Sequence, residues 1–132
     1  MTVEAGAAEV VRRFYDAMAR RDLDTAGSCF GENAVWILLG RSAVAGEYRG
    51  WASIRDDFLA RLDPISGGTL EVRLVDVAIG ESYVVAVQHA TAEHEGKSLD
   101  VIGVQLMRIE AGEIVEVRGH YSDQYALDRF WS

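Results

Sequence analysis

The stretch 83–122, YVVAVQHATAEHEGKSLDVIGVQLMRIEAGEIVEVRGHYS, decides the fold. It is dense in Val, Ile and Ala and is broken only at Glu95-Gly96-Lys97 and Glu110-Ala111-Gly112. Short Gly-bearing breaks between β-branched runs are what successive hairpins require. Upstream, Ser66-Gly67-Gly68 and Gly80-Glu81-Ser82 bound one more run of the same kind. Four strands are therefore predicted, at about 69–79, 83–94, 98–109 and 113–122. An antiparallel meander is the economical way to join them.

Both faces of these strands are apolar. In 98–109, Leu99, Val101, Gly103, Gln105, Met107 and Ile109 share one face, while Ile102, Val104 and Leu106 share the other. In 83–94, Val84, Ala86, Ala90 and Ala92 oppose Tyr83, Val85 and Val87. A sheet with one wet face would alternate apolar and polar residues. Something must cover each side. Helices can cover one; a second copy of the chain, in a homodimer, is the simplest cover for the other. A C-terminal segment folding over it is the alternative.

The first half of the chain supplies the helices. Ala7, Val10, Val11, Phe14, Ala17 and Met18 recur at helical spacing, which predicts a helix over about 7–20. Asp22 is placed to cap a short second helix that buries Leu23, Ala26 and Phe30 and ends at Gly31. Residues 34–39, AVWILL, read as a buried strand, and 40–50 as a loop. Trp51, Ile54, Phe58, Leu59 and Leu62 form the stripe of a third helix over 51–62, stopped by Asp63-Pro64. Helices first and strands after give an α+β class, with helices segregated to one face of a mainly antiparallel sheet.

Composition bounds the function. A chain of 132 residues, 49% hydrophobic, suits a single domain over 1–132 that needs neither disulfide nor metal to fold. One cysteine makes no internal bridge and fits a reducing cytoplasm. No apolar run approaches the ~18 residues of a membrane span, and Met1–Ala8 lacks the pattern of a secretory leader. The net charge is -8 and Lys97 is the only lysine, so no nucleic acid partner is expected.

The order of elements is similar to that of the SnoaL-like branch of the nuclear transport factor 2-like superfamily, which includes ketosteroid isomerases and polyketide cyclases. The resemblance is carried by FYDAM at 14–18, RDLD at 21–24, FGENAVW at 30–36, AGEYRG at 45–50 and DQYALDRFW at 123–131. It implies a curved sheet wrapped with helices into a cone, a pocket between helices and the concave face, and a convex face that commonly dimerises. It also implies candidate chemistry. Ketosteroid isomerases use a carboxylate base and two oxyanion donors, a Tyr and a protonated Asp. In this chain the Tyr position falls on Phe14, the base on Leu38 and the Asp donor on Gln105. Steroid isomerisation by that route is therefore not expected. Tyr15 is adjacent to Phe14 but about 100° around the helix.

The same register predicts a ligand pocket lined by Phe14, Trp36, Leu38, Phe58, Gln88, Ala90, Gly103, Gln105, Met107, Val117 and Tyr121. An apolar cavity with a few polar groups is what a small-molecule site looks like. Its expected partner is a small, mostly apolar, polyketide- or terpenoid-like ligand. The expected function is binding of that ligand; its enzyme version, as in the polyketide cyclases that the chain resembles, is cofactor-independent isomerisation or cyclisation, with Gln105, Tyr121, Asp123 and His120 as candidate catalytic residues, the last two as an acid–base pair near the cone mouth. A non-catalytic carrier or sensor, and an association module with a filled cone, are the alternatives. Buried amides need partners, which argues for a cavity, although Gln88 and Gln105 could also satisfy each other.

No metal or cofactor is expected. His89 and His94 are five apart on a strand and so face opposite sides, and His120 lies opposite Tyr121. Cys29 has no basic neighbour in sequence and reads as a small buried hydrophobe. Gly67-Gly68 lacks a following Lys-Ser or Lys-Thr and reads as a turn. The pairs Arg12-Arg13 and Arg20-Arg21 read as solvated helix charges.

Overall fold

The computed structural model describes the backbone of residues 3–132 and side chains from residue 6 onward. Of the N-terminal stretch read for a leader, Met1 and Thr2 lie outside the described residues. Helix α1 (Val3–Ala19) is followed by α2 (Leu23–Gly27), β1 (Phe30–Leu38) and β2 (Gly46–Arg49). Next, α3 (Trp51–Ser53) passes through a π-helical segment, Ile54–Leu59, into α4 (Ala60–Ile65). The chain ends with β3 (Glu71–Ile79), β4 (Val84–His94), β5 (Lys97–Glu110), β6 (Glu113–Tyr121) and α5 (Gln124–Phe130).

Among the described residues six strands form one curved, open sheet, in the order β2-β1-β6-β5-β4-β3. The meander from β3 to β6 is antiparallel throughout. Its turns at Glu95-Gly96 and Ala111-Gly112 each hold a non-Gly residue and a Gly at positive φ, the backbone that two-residue hairpins demand. Strand β1 then pairs in parallel with β6 and antiparallel with β2. Ladder irregularities fall between Leu74 and Asp76, between Arg108 and Ile109, and between Phe30 and Val35. Extra residues in one strand bend it and increase the local twist, so the sheet curls around its concave side.

Several boundaries differ from the sequence reading, each for a local reason. Helix α2 ends at Gly27, with Ser28 at the cap, and Gly31 lies inside β1. The Asp22 carboxylate caps α2, accepting from Thr25 N at 3.0 Å and the Thr25 hydroxyl at 2.6 Å. Residues 46–49 form an edge strand rather than loop, because Gly50 N donates to Ala34 O and ties the segment to β1. Pro64 sits in the last turn of α4 without breaking it, and the helix closes at Ile65.

Helix α1 lays Phe14 over the concave side, where its ring meets Trp36 at 5.8 Å between centroids. Trp36 in turn meets Phe58 of the π-helical segment at 5.2 Å. The C-terminal segment does not cover the second face. Asp123 turns the chain back, and α5 brings Leu127 and Trp131 to the concave side, both buried. On the convex side Val85, Val87, Val104 and Leu106 stay partly exposed, and Ile102 is 43% exposed.

Candidate functional site

The register of the sheet sets the floor of the concave side in rows. One row runs Leu38, Gly119, Gln105, Ala86, Val77, and its neighbour runs Tyr121, Gly103, Gln88, Leu74. The two glycines make room for the two polar side chains beside them. A Cβ on Gly119 would stand 2.9 Å from Gln105 Oε1, and one on Gly103 would stand 2.7 Å from the Tyr121 ring. The Gln105 amide therefore lies over Gly119, and the Tyr121 ring lies over Gly103.

Above this floor is a chamber of about 100 Å³. Phe14, Trp36, Leu38, Phe58, Gln88, Ala90, Gln105 and Tyr121 line it together. Three other expected lining residues do not reach it. Gly103 is covered by the Tyr121 ring, while Met107 and Val117 pair with each other in a neighbouring row and are sealed in the core. The candidate acid–base pair is also outside. His120 is exposed on the opposite face of β6, and Asp123 caps α5, accepting from Ala126 N at 3.0 Å.

The chamber also contains a residue left off the pocket when the sequence is read alone. Tyr15 is 7% exposed, and its hydroxyl donates to Gln88 Oε1 at 2.5 Å. The signal was present, since Tyr15 is four residues after Val11 and three before Met18, both on the inward stripe. The apolar face of α1 is wide enough to carry Phe14 and Tyr15 side by side. Leu127 and Trp131 were missed as lining residues too, because only the reversal at Asp123 brings them there.

Each buried glutamine is matched to a tyrosine, not to the other glutamine. Gln105 Nε2 donates to the Tyr121 hydroxyl at 2.9 Å. Burial pushes the Tyr15 phenol well above the usual tyrosine range, and the nearby Tyr121 adds to the effect. Burial raises Tyr121 as well, partly offset by the hydrogen bond from Gln105. Both phenols are therefore neutral at physiological pH. Among the described residues the lining holds no Asp, Glu, His, Lys or Arg. Two buried polar atoms of the lining have no partner among the described residues: Gln105 Oε1 and Trp36 Nε1.

A wider groove of about 760 Å³ runs between α1, α4 and β3. Tyr15, Met18, Leu59, Leu62, Leu70 and Val72 line both spaces, so the groove adjoins the chamber through an apolar wall. Its outer rim carries charge, including the ion pair Arg21–Asp63 at 3.2 Å.

The SnoaL-like domain family matches residues 11–117. The chain belongs to this family. A relative, an uncharacterized protein of Mycobacterium tuberculosis, is 32% identical and is matched over 94% of this chain and 95% of its own length. Among solved structures, Bal32a from a soil-derived mobile gene cassette superposes with a TM-score of 0.92 at 35% identity, covering 97% of this chain and 98% of its own. TerC, co-crystallised with polyporic acid, shares the fold at a TM-score of 0.83 and 18% identity, covering 95% of this chain and 97% of its own. This SnoaL-like chain has the nuclear transport factor 2-like fold, which a Burkholderia pseudomallei protein shares at a TM-score of 0.79 and 20% identity.

Other sequence features lie away from the chamber. Among the described residues no three of His, Cys, Asp and Glu gather at metal-binding distance, and no helix is long and apolar enough to cross a membrane. His89 Nε2 pairs with Asp100 at 2.6 Å on the convex side. Cys29 is buried, with its Sγ 3.7 Å from Thr25 O.

Proposed function

We propose that the cone binds one small, neutral, mostly apolar molecule, of polyketide- or terpenoid-like character, in the chamber and its adjoining groove. The observation that carries this reading is the lining itself. Aromatic and aliphatic walls surround four polar side chains, two of them amides, and no ionised group is among them. Convergent neutral donors and acceptors in an apolar space orient a neutral ligand. A filled core has no need of two glutamines, each of which must be partnered when buried. That another protein of this fold was co-crystallised with polyporic acid is in keeping with a small-molecule site.

Binding is favoured over proton-transfer catalysis, since the described residues of the lining offer no carboxylate or imidazole to move a proton near neutral pH. An isomerisation or cyclisation here would have to rest on shape and on the donors Tyr15, Gln105 and Tyr121. The same reading takes the chain as a single cytoplasmic domain that works as a homodimer. The motive for dimerisation is the uncovered convex face of Val85, Val87, Ile102, Val104 and Leu106.

The test uses uncharged aromatic probes of one to three rings, 1-naphthol among them. Binding should quench tryptophan emission, and Trp36→Phe should remove most of the response, with Trp51 and Trp131 as background. Ala90→Phe, whose ring would occupy the chamber, should abolish binding with little change in melting temperature. A parent protein without any probe response, together with a fall of ~1–3 kcal/mol in the Ala90→Phe variant from overpacking, would sink the reading.

A further inference from the structure

Two side chains of the chamber wall end in unused hydrogen-bonding atoms. Trp36 is 6% exposed and Gln105 is 1% exposed. Among the described residues Trp36 Nε1 is a donor with no acceptor, and Gln105 Oε1 is an acceptor with no donor. Tyr121 adds a third. Its oxygen accepts from Gln105 Nε2, and among the described residues its own proton has no acceptor. The wall thus offers two free donors, Trp36 N–H and Tyr121 O–H, and one free acceptor, Gln105 Oε1. All three residues line the same chamber. Leaving such groups dry and unpaired is unfavourable, so native interiors rarely do it.

We propose that the chamber recognises a ligand hydroxyl, alcohol or phenol, through these three groups; this rests on the binding reading above and narrows its ligand class. A hydroxyl has two lone pairs and one proton. It matches the free groups in number and sense: it accepts from Trp36 Nε1 and Tyr121 Oη and donates to Gln105 Oε1. A ketone or aldehyde oxygen accepts but cannot donate, so Gln105 Oε1 would stay unpaired and face another oxygen. A carboxylate fails in the same way and has no cation in the lining to offset its burial. An ammonium donates to Gln105 but leaves both donors empty. The amide stays in place because Gly119 leaves space for it, and the ring of Tyr121 is held over Gly103.

The test compares three single-ring probes of similar size: phenol, toluene and benzaldehyde. A single ring is the scale of guest that small apolar protein cavities accept. Affinities are measured by calorimetry or by titration of the Trp36 indole N–H proton resonance, assigned with Trp36→Phe. Phenol should bind with saturation and shift that resonance. Toluene and benzaldehyde should bind roughly tenfold or more weakly, the scale of one or more buried groups left unpaired. Gln105→Leu should bring phenol and toluene to parity. Trp36→Phe, which keeps an aromatic ring and removes only the donor, should reduce the phenol preference and guards against a Gln105 variant that fails to fold. Equal binding of phenol and toluene with the indole resonance unmoved would overturn the hydroxyl assignment and leave the apolar-ligand reading standing. Saturable benzaldehyde binding as tight as that of phenol would overturn it as well. Absence of binding by all three probes, and by the larger aromatics, would remove both.

Discussion

Tyr15 shows how much a single side chain can change the character of a cavity. Its hydroxyl satisfies Gln88 and keeps that amide from turning toward Gln105. Tyr15→Phe should lower stability by about 1–3 kcal/mol, the scale of leaving a buried acceptor unpaired, as read from thermal or denaturant melts. The pH dependence follows from the raised phenol. An unfolded chain ionises its tyrosines near pH ~10, whereas the buried Tyr15 holds its proton. The stability it contributes is complete below the unfolded value and is lost as pH rises beyond it, because only the unfolded chain then releases the proton. The wild type should therefore weaken above that pH, and Tyr15→Phe should weaken less steeply, with Tyr121 accounting for part of what remains. Unchanged alkaline limbs in the two proteins would contradict this. Gly103 is the second informative residue. Gly103→Ala would drive a methyl against the Tyr121 ring at 2.7 Å, so it should reduce melting temperature and displace Tyr121, seen as altered near-ultraviolet circular dichroism. Gln105, Trp36 and Leu38 were readable as inward residues because alternation along a strand is strict. Tyr15 was passed over despite its spacing from Val11 and Met18, because a one-residue step on a helix turns by about 100° and only a broad apolar stripe holds both it and Phe14.

The elements differ in how far local sequence dictates them. The hairpins of β3 to β6 were legible from their Gly-bearing breaks, and α1 from its spacing. Strand β2 was not, since GEYR at 46–49 has a single apolar side chain, Tyr48, and is held by pairing with β1 rather than by its own propensity. The parallel pairing of β1 with β6 joins segments far apart in sequence and leaves no local mark. Asp123 illustrates the same limit from the other direction. Near the mouth of a cone it reads as a base, yet its carboxylate is used up at the head of α5. Asp123→Ala should remove the cap, lowering stability by about 0.5–2 kcal/mol. Because α5 carries Leu127 and Trp131 into the chamber wall, the same variant should release a bound aromatic probe faster, which stopped-flow displacement would detect. Asp123→Asn, whose side-chain oxygen can still accept from Ala126 N, should restore both properties. A residue acting as a proton acceptor would not be rescued in that way.

At the scale of the whole molecule, the distribution of apolar surface points outward as well as inward. Cross-strand partners place Val85 beside Leu106 and Val87 beside Val104, with His89 beside Ile102. Polar and charged side chains border this patch: Arg118 is opposite Leu106, His120 is opposite Val104, and Arg73 is opposite His89. An apolar centre with a polar rim is the usual anatomy of a protein interface. A face on one side of an open sheet can meet its own copy about a two-fold axis, which makes a closed pair and stops growth there. Since α5 is committed to the concave side, no described segment of the chain is left to cover the patch. Light scattering at micromolar concentration should accordingly give about twice 14.5 kDa. Val104→Arg puts a charge at the centre of the patch and faces it with its copy across the axis, so it should yield a monomer. Val104 faces away from the chamber, on the opposite side of β5 from Gln105, so the monomer should still bind the aromatic probes if the chamber is complete within one chain. A wild-type protein that stays monomeric at high concentration would refute the dimer. A Val104→Arg monomer that has lost probe binding while keeping its melting temperature would show instead that pairing across the convex face shapes the chamber through the sheet.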